Sequence, residues 1–436
     1  MSFRDWVAVI AGKKVSFLSR ILGFGAGATW PGEIALSISP TILQSLTRQL
    51  RHGAILVAGT NGKTTTSLML TTILHYEKLN IVHNGSGANL LNGLVSACVR
   101  TSTLSGRLEA DWGVFEVDEN SLPIILRFVK PKIIILLNLF RDQLDRYGEV
   151  DVIAEKWQLA IKSLTSETTL VLNADDPLVA SLGEKTKADV VYFGLTQKAE
   201  QANGLEHATD SIFCLFCGSR LLYHSYYFSH LGDWYCTVCG EKRPPLTLSA
   251  WESPLPGLYN KYNTLAAALA AQTIGIHSKH IKESLAGFAP AFGRQEECYV
   301  NGKTVKLFLS KNPAGFNASL RAVLELHPKV ILLALNDRIP DGRDVSWIWD
   351  VDFEMIPDSI LVVVTGDRVY DMALRMQYCE TRNSKLETRN TLVEPDNKKA
   401  LLVGLEKIDK GETLYVLATY SSMLGIRKIL TGRAIG

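Results

Sequence analysis

One run of residues, Ala54-Ile-Leu-Val-Ala-Gly-Thr-Asn-Gly-Lys-Thr-Thr-Thr-Ser67, limits the folds open to this chain more than any other stretch. Residues 54–58 are apolar and partly β-branched, as a buried strand requires. Gly59 and Gly62 supply a turn whose backbone can approach an anion closely, and from Thr64 an apolar-studded helix continues to near Tyr76. Backbone N–H groups at such a helix start face a phosphate. The candidate phosphate-binding set is therefore Gly59, Thr60, Asn61, Gly62, Lys63, Thr64 and Thr65. Lys63 adds a point charge on the β/γ oxygens, and the Thr64 hydroxyl falls where such loops bind Mg²⁺. The usual Walker spacing would put a glycine at Val57, so only the shorter Gly-x-x-Gly-Lys-Thr is present. A chance turn is the competing reading; the strand before and the helix after weigh against it. As a surface-loop residue, Lys63 would contribute ligand charge rather than core packing.

The rest of the 436-residue chain is long enough for two or three domains, and with 47% hydrophobic residues it has ample material for a core. A net charge of +2 with no long basic run leaves no general nucleic-acid footprint. Met1 to Gly27 alternates basic and apolar residues without a continuous apolar signal region, which suggests an amphipathic helix with a solvated basic face; a membrane-surface helix is the alternative. No run of 18 apolar residues exists, so no transmembrane span is expected. Seven cysteines, four of them in two Cys-x-x-Cys pairs, suit a reducing compartment and a metal better than a disulfide framework.

After the first helix, strands at Trp112–Val117, Ile133–Leu137, Thr169–Leu172 and Val190–Phe193 alternate with helices near 121–129 and 151–164. This is the pattern of a parallel sheet with crossover helices. Turn-rich sequence from about 200 to 250 interrupts it as an insertion before an alanine-rich helix, Tyr262–Ile274. A second alternation follows, with strands at Val305–Leu309, Val330–Leu335, Ile360–Val364 and Leu414–Ala418, and helices near 317–326, 368–377 and 421–431. The expected organisation is an α/β unit over residues 1–294 with an N-terminal helix, an insertion at 203–246 within it, and a second α/β unit at 295–436.

Several constellations carry chemistry. Glu116 stands inside an apolar strand, where a buried carboxylate needs a cation partner, and it is the candidate second Mg²⁺ group; Asp118 and Glu119 read as caps of the next helix. The polar block Asn138–Gly148 follows another strand and is either plain surface or part of the site. Asn173-Ala-Asp175-Asp176 ends the next strand and could hold a ribose or adenine, or cap a helix. Cys214-Leu-Phe-Cys217-Gly and Cys236-Thr-Val-Cys239-Gly are two knuckles able to hold one tetrahedral Zn²⁺. Four thiolates leave no open position, so that ion would be structural. His224 and His230, between the knuckles, read as surface residues, and Cys98, Cys298 and Cys379 as packed side chains. Asn260 and Asn263 lie one turn apart on one face, before or within the alanine-rich helix, where they could also be caps. Arg294, at the boundary of the two α/β units, could reach a phosphate across the cleft.

Taken in order, Gly59-Thr-Asn-Gly-Lys-Thr-Thr65, Glu116, the Asn138–Asp145 block, Asn173-Ala-Asp-Asp176, Gly257-x-x-Asn-x-x-Asn263 and Gly293-Arg-x-Glu296 resemble the Mur ligase superfamily over nearly the whole chain. Three features narrow the resemblance to the ligase-like subunits of lipid II isoglutaminyl synthases: the four-cysteine ribbon, Lys311-Asn-Pro-Ala-Gly-Phe-Asn317, and Leu335-Asn-Asp337 with Asp341-Gly-Arg-Asp344. The resemblance implies ATP and Mg²⁺ as cofactors, an acyl-phosphate intermediate, and amidation of the α-carboxyl of D-glutamate in the lipid II stem peptide. ATP would bind at Gly59–Thr64, Mg²⁺ at Thr64 and Glu116, and adenine near Asn260, Asn263, Asn173 and Asp175; Lys63, Mg²⁺ and Arg294 would stabilise the transferring phosphoryl group. Nothing in the chain resembles a Cys-His glutaminase, so ammonia would come from a separate GatD-type glutaminase. Asp344 would supply that partner's catalytic acid across the interface, unless it simply caps the short helix starting near Ser346. The implied place of action is the cytoplasm, at the inner face of the cell membrane. Two departures from other Mur ligases stand out: Gln143 replaces a metal-ligating histidine, and the N-terminal region is too short for a nucleotide-sugar-binding domain. Lys156 lies near the place of the family's carbamylated lysine, but with Gln143 opposite it carries no assigned role. Rival readings are a ligase that adds an amino acid, which would need its own amino-acid pocket, and a zinc-ribbon nucleic-acid-binding ATPase. Against the latter, the ribbon carries only Arg220 before Lys242 and Arg243, with Tyr223, Tyr226, Tyr227 and Phe228 between them.

Overall fold

A computed structural model describes residues 1–21, 28–85, 87–142, 150–196, 207, 209–290, 294–382 and 390–432; the side chains of Arg20, Arg294 and residues 380–382 are outside that description. Two six-stranded sheets and one two-stranded ribbon organise the described residues. The first sheet has strands β1 (Gly53–Ala58), β2 (Ile81–His83), β3 (Trp112–Val117), β4 (Ile133–Leu136), β5 (Thr169–Asn173) and β6 (Asp189–Phe193) in the order β2-β3-β1-β4-β5-β6. Every pairing in it is parallel. The order reverses at β1, with β3 on one side and β4 on the other, and the crevice at the carboxyl ends of such neighbours is where open sheets take ligands.

Alternation within β1 shows why both faces are covered. Leu56 and Ala58 join one apolar cluster, under the helices Phe3–Ile21, Trp30–Ile38 and Leu91–Thr101, while Ile55 and Val57 join a second one, under Lys63–Tyr76 and Leu258–Thr273. A strand buried on both sides reads as continuous apolar sequence, and burying each large side chain contributes about 1.5–3 kcal/mol.

The insertion forms β7 (Leu222–Phe228) and β8 (Leu231–Tyr235), an antiparallel hairpin. The second sheet has β9 (Arg294–Val300), β10 (Lys303–Leu309), β11 (Val330–Ala334), β12 (Leu361–Thr365), β13 (Thr391–Val393) and β14 (Thr413–Ala418), in the order β13-β12-β11-β14-β10-β9. Only β9 runs antiparallel to its neighbour.

Three expectations about elements need correction. The helix expected near 121–129 spans only Leu122–Ile125, and the alanine-rich helix starts at Leu258 behind Gly257, whose φ of 93° suits glycine. Asn260 and Asn263 therefore sit inside its first two turns rather than capping it. The exposed side of Phe3–Ile21 is not simply basic, since Phe3, Phe17, Leu18 and Ile21 accompany Lys14 there. Among the described residues no helix is long and apolar enough to cross a membrane.

Candidate functional site

Gly59 (φ 140°) and Gly62 (φ 92°) make the turn from β1 into the helix Lys63–Tyr76. Both positions also exclude a side chain sterically: a Cβ on Gly62 would fall 2.1 Å from Asn263 Oδ1, and one on Gly59 would fall 2.9 Å from Leu137 Cβ. Lys63 is 7% exposed; its ammonium donates to the carbonyls of Gly59 at 2.6 Å and Thr60 at 3.1 Å and pairs with Glu119 at 3.2 Å. This overturns two expectations. Lys63 is a buried charge within the fold, and Glu119 is its partner rather than a cap; Asp118 does accept the Asn120 N–H at 3.0 Å, as a turn residue would.

The Thr64 hydroxyl donates to Glu116 Oε2 at 2.9 Å, and Glu116 is 4% exposed. Carboxylate and hydroxyl oxygens are hard donors that suit Mg²⁺. Asn84, not noticed in the sequence, fixes the backbone of Glu116 by accepting its N–H at 2.9 Å and donating to its carbonyl at 2.8 Å.

The described part of the Asn138 block is a hub rather than plain surface. Asn138 Oδ1 accepts the Asn61 N–H at 2.8 Å, and its amide donates to the Asn61 carbonyl at 3.0 Å. Arg141 pairs with Asp210 ahead of the ribbon, and Asp142 pairs with Lys311 of the second unit. Asn312 and Asn61 exchange side-chain amide bonds at 3.2 and 3.4 Å, while Asn312 Oδ1 also accepts the Gly315 N–H at 2.7 Å as the cap of the helix Pro313–Leu324. Gln143 lies outside the described residues. Lys156 is exposed and donates to Asn120 at 2.9 Å, so its ammonium has a plain structural partner.

Between the two units lies a cleft of about 800 Å³. Gly62, Thr65, Asn260 and Asn263 line one side of it, Phe308 and Gln295 of the second unit another, and Phe228 and Leu231 of the ribbon hairpin a third. The two asparagines are linked, Asn263 donating to Asn260 at 3.2 Å, and Thr66 donates to Asn263 at 3.4 Å. Phe228 and Leu231 could not be picked from sequence, because only the folding of the hairpin tip against the body brings them there. The backbone of Arg294 opens β9 at the edge of this region; its side chain lies outside the description.

Asn173 and Asp175 do not line the cleft. Both are fully buried: Asn173 donates to the Leu137 carbonyl at 2.8 Å and accepts the Asp175 N–H at 3.1 Å. Asp175 takes Arg243 at 2.8 Å, the Tyr262 hydroxyl at 2.8 Å and the Leu195 N–H at 2.8 Å. Burial pushes its carboxyl up to about 6, against the opposing pull of Arg243. These residues clamp the ribbon onto the body, a role their strand-end position did not reveal; Asp176 caps the helix Pro177–Ser181, accepting from Leu178 and Val179.

Within the ribbon the sulfur atoms of Cys214, Cys217, Cys236 and Cys239 lie within 4.8 Å of one another, with Cys214–Cys239 and Cys217–Cys236 each 3.5 Å apart. A tetrahedral site with Zn–S bonds of about 2.3 Å needs sulfurs about 3.8 Å apart, so the donor set fits Zn²⁺. Gly218 and Gly240 follow the knuckles at φ 71° and 82°. His224 is exposed as expected, but His230 is fully buried, 3.4 Å from Asp176 and packed on Phe140.

Asp344 is exposed on the rim of a separate cleft of about 540 Å³, shared with Arg141, Lys311 and Asp341. It accepts the Ser346 N–H at 2.8 Å, and this bond holds its carboxyl below the usual range. Asp344 thus holds the turn that leads into the short helix Ser346–Asp350, whose cap position is Val345, and it stays at the surface. Cys98, Cys298 and Cys379 are buried as expected.

Comparison with known proteins agrees with this arrangement. Residues 57–271 match the Mur ligase middle domain and residues 309–423 the MurT ligase C-terminal domain. The chain is 34% identical to the MurT subunit of lipid II isoglutaminyl synthase (glutamine-hydrolyzing) from Staphylococcus aureus (strain COL), covering 86% of this chain and 88% of that one. To the corresponding subunit of Streptococcus pneumoniae it is 32% identical over 100% of this chain and 99% of that one. Among solved structures, a pseudomurein peptide ligase type C from Methanothermus fervidus superposes with a TM-score of 0.65 at 22% identity, covering 89% of this chain and 80% of that one. A MurF ligase from Thermotoga maritima in complex with ADP superposes with a TM-score of 0.60 at 15% identity, covering 91% and 83%. These likenesses establish a Mur ligase-type α/β fold, and the chain belongs to the family of Mur ligase-like MurT subunits of lipid II isoglutaminyl synthase.

Proposed function

We propose that this chain is the ligase subunit of an enzyme that amidates the α-carboxyl of D-glutamate in the lipid II stem peptide, drawing ATP and ammonia into one cleft. The observation that carries the reading is the meeting of Lys63, Thr64 and Glu116 where the phosphate-binding turn enters its helix, next to a cleft lined by Gly62, Thr65 and the amides of Asn260 and Asn263. In this reading residues 1–294 form the nucleotide-handling unit, 203–246 the zinc-held insertion and 295–436 the closing unit.

A carboxylate resists attack by ammonia until one oxygen becomes part of a good leaving group. The acceptor carboxylate oxygen attacks the terminal phosphorus of ATP and ADP leaves. Ammonia nitrogen then attacks the acyl carbon, inorganic phosphate departs, and a proton is lost to give the amide. Lys63 and the N–H groups at the start of its helix hold the phosphates, with Arg294 reaching from the boundary of the units, while Asn260 and Asn263 bind the base. Thr64 and Glu116 would hold Mg²⁺, which neutralises charge on the terminal phosphates when bound. The thiolates of Cys214, Cys217, Cys236 and Cys239 would hold one structural Zn²⁺.

Ammonia comes from a GatD-type glutaminase bound to this chain. Asp344, exposed and ionised, fixes the tautomer of the partner's catalytic histidine from across the interface and stabilises the imidazolium that forms when that histidine takes the nucleophile's proton. The protein works in the cytoplasm at the inner face of the membrane. Reconstitution of this chain with the glutaminase, lipid II, ATP, Mg²⁺ and ¹⁵N-amide glutamine should place ¹⁵N on the stem peptide by mass spectrometry. Incorporation of an amino acid without any glutaminase would instead favour the amino-acid-adding ligase.

A further inference from the structure

We infer that the metal ribbon and the nucleotide cleft are thermodynamically coupled through the hairpin β7–β8, whose tip residues Phe228 and Leu231 form the apolar wall against which a purine base lies. The inference rests on the nucleotide reading given above and adds to it the ribbon's part in binding. The hairpin has its knuckles at one end and the cleft at the other. Cys214 and Cys217 precede β7, and Cys236 directly follows β8. At the opposite end Ser229 turns with φ 51°, and Phe228, Ser229, His230 and Leu231 are all buried in the body of the protein.

Successive contacts fasten this tip. Gly232 N–H donates to the Asp175 carbonyl at 3.0 Å, and Trp234 Nε1 to the Ala174 carbonyl at 2.9 Å. Arg243, set by the second knuckle through its N–H to the Trp234 carbonyl at 3.0 Å, reaches Asp175 at 2.8 Å and the Leu195 carbonyl at 2.9 Å. Phe140 packs on both Phe228 and His230, with ring centroids 5.5 and 4.8 Å apart, and its own N–H donates to Thr60 of the phosphate-binding loop at 3.0 Å. A continuous path of packed groups thus joins the knuckles to the loop.

The ribbon's own apolar cluster is small: Leu221 and Trp234 with two of the cysteines, against Ala180. So small a core needs its metal to hold the knuckles. Without zinc, the turn that aims Arg243 loosens, and with it the wall of the cleft. Phe228 and Leu231 touch the base; Arg243 and His230 position them.

The test is calorimetric titration of the zinc-loaded full chain with ADP and Mg²⁺, alongside equilibrium zinc competition by a chromogenic chelator. Cys239→Ser should weaken ADP binding about tenfold, within the usual span of coupling between sites. Phe228→Ala should weaken it similarly while binding zinc stoichiometrically. Saturating ADP should tighten zinc on the wild-type chain by the factor that zinc tightens ADP, since linkage is reciprocal, and this effect should vanish in Phe228→Ala. If Cys239→Ser fails to fold, by circular dichroism, the Phe228→Ala titration and the wild-type chelator competition decide. ADP affinity within twofold of wild type in Phe228→Ala, or zinc affinity indifferent to ADP, overturns the coupling. Lys63→Ala separates the two ideas: if it binds ADP as well as wild type, the phosphate-loop reading falls and the coupling with it; if it loses ADP while Phe228→Ala does not, only the coupling falls.

Discussion

The two six-stranded sheets are the same size and yet treat charge differently. At the carboxyl end of the first, Lys63, Glu116, Asp118 and Glu119 are all less than 10% exposed and find partners inside the protein. At the carboxyl end of the second, Asp344 is exposed, and Arg338 and Asp367 form an ion pair at 2.7 Å whose side chains are 61% and 41% exposed. Buried charge in a dry site acts strongly on a bound anion and is costly to leave unpaired; exposed charge is cheap and free to meet another protein. That contrast is what the proposed function calls for, with phosphates handled at the first end and the glutaminase met at the second.

Breaking the first end should give the largest effect. Lys63→Ala should lower ATP-dependent amidation by about 10²–10³-fold, the range for a removed charge stabiliser. Because Glu119 would be left buried without its cation, the same change should also cost about 3–5 kcal/mol of stability. Lys63→Met combined with Glu119→Gln should recover the melting temperature but not the activity, and a double variant that recovered both would contradict the assignment. At the second end, Asp344→Asn keeps an acceptor for the Ser346 N–H but cannot stabilise a cationic histidine, so glutamine hydrolysis in the assembled complex should fall by about 10²-fold while ATP binding and complex formation persist. Unchanged hydrolysis would reduce Asp344 to a turn residue and erase half of the contrast. Glu116→Gln should preserve the bond from Thr64 and raise the Mg²⁺ concentration needed for half-maximal rate about 10–100-fold, read from a magnesium titration. The smallest effect belongs to the seam between the units. Asn312→Ala removes a cap and an amide pair, each worth about 1 kcal/mol, and should raise the KM for ATP several-fold with little change in kcat.

Most strands and the phosphate loop were legible because their signals are local: β-branched runs, glycines at fixed spacing and a helix beginning at once. The cysteine knuckles were legible for the same reason, since each carries its two ligands within four residues. What escaped depends on distant parts meeting. Glu119 looked like a cap because its cation stands 56 positions earlier. His230 looked like surface because it lies in a polar insertion, whereas the hairpin tip folds inward onto Phe140. Asn173 and Asp175 stand at a strand end, as ligand-binding residues often do, but Arg243 and Tyr262 reach Asp175 from well over sixty residues away and make it a structural clamp. Short elements such as β2 were lost because three residues carry too little periodicity to be seen.

The seam itself mixes two kinds of bond, and they answer differently to dissolved salt. Asn61 and Asn312 are neutral amides that give and take in both directions, while Lys311 and Asp142 beside them are joined by charge. Raising ionic strength weakens the second bond only in part, because the Asp142 side chain is 8% exposed, and leaves the first nearly untouched. Concentrated salt should therefore ease the lysine side of the seam slightly before the amide side, which stays in register.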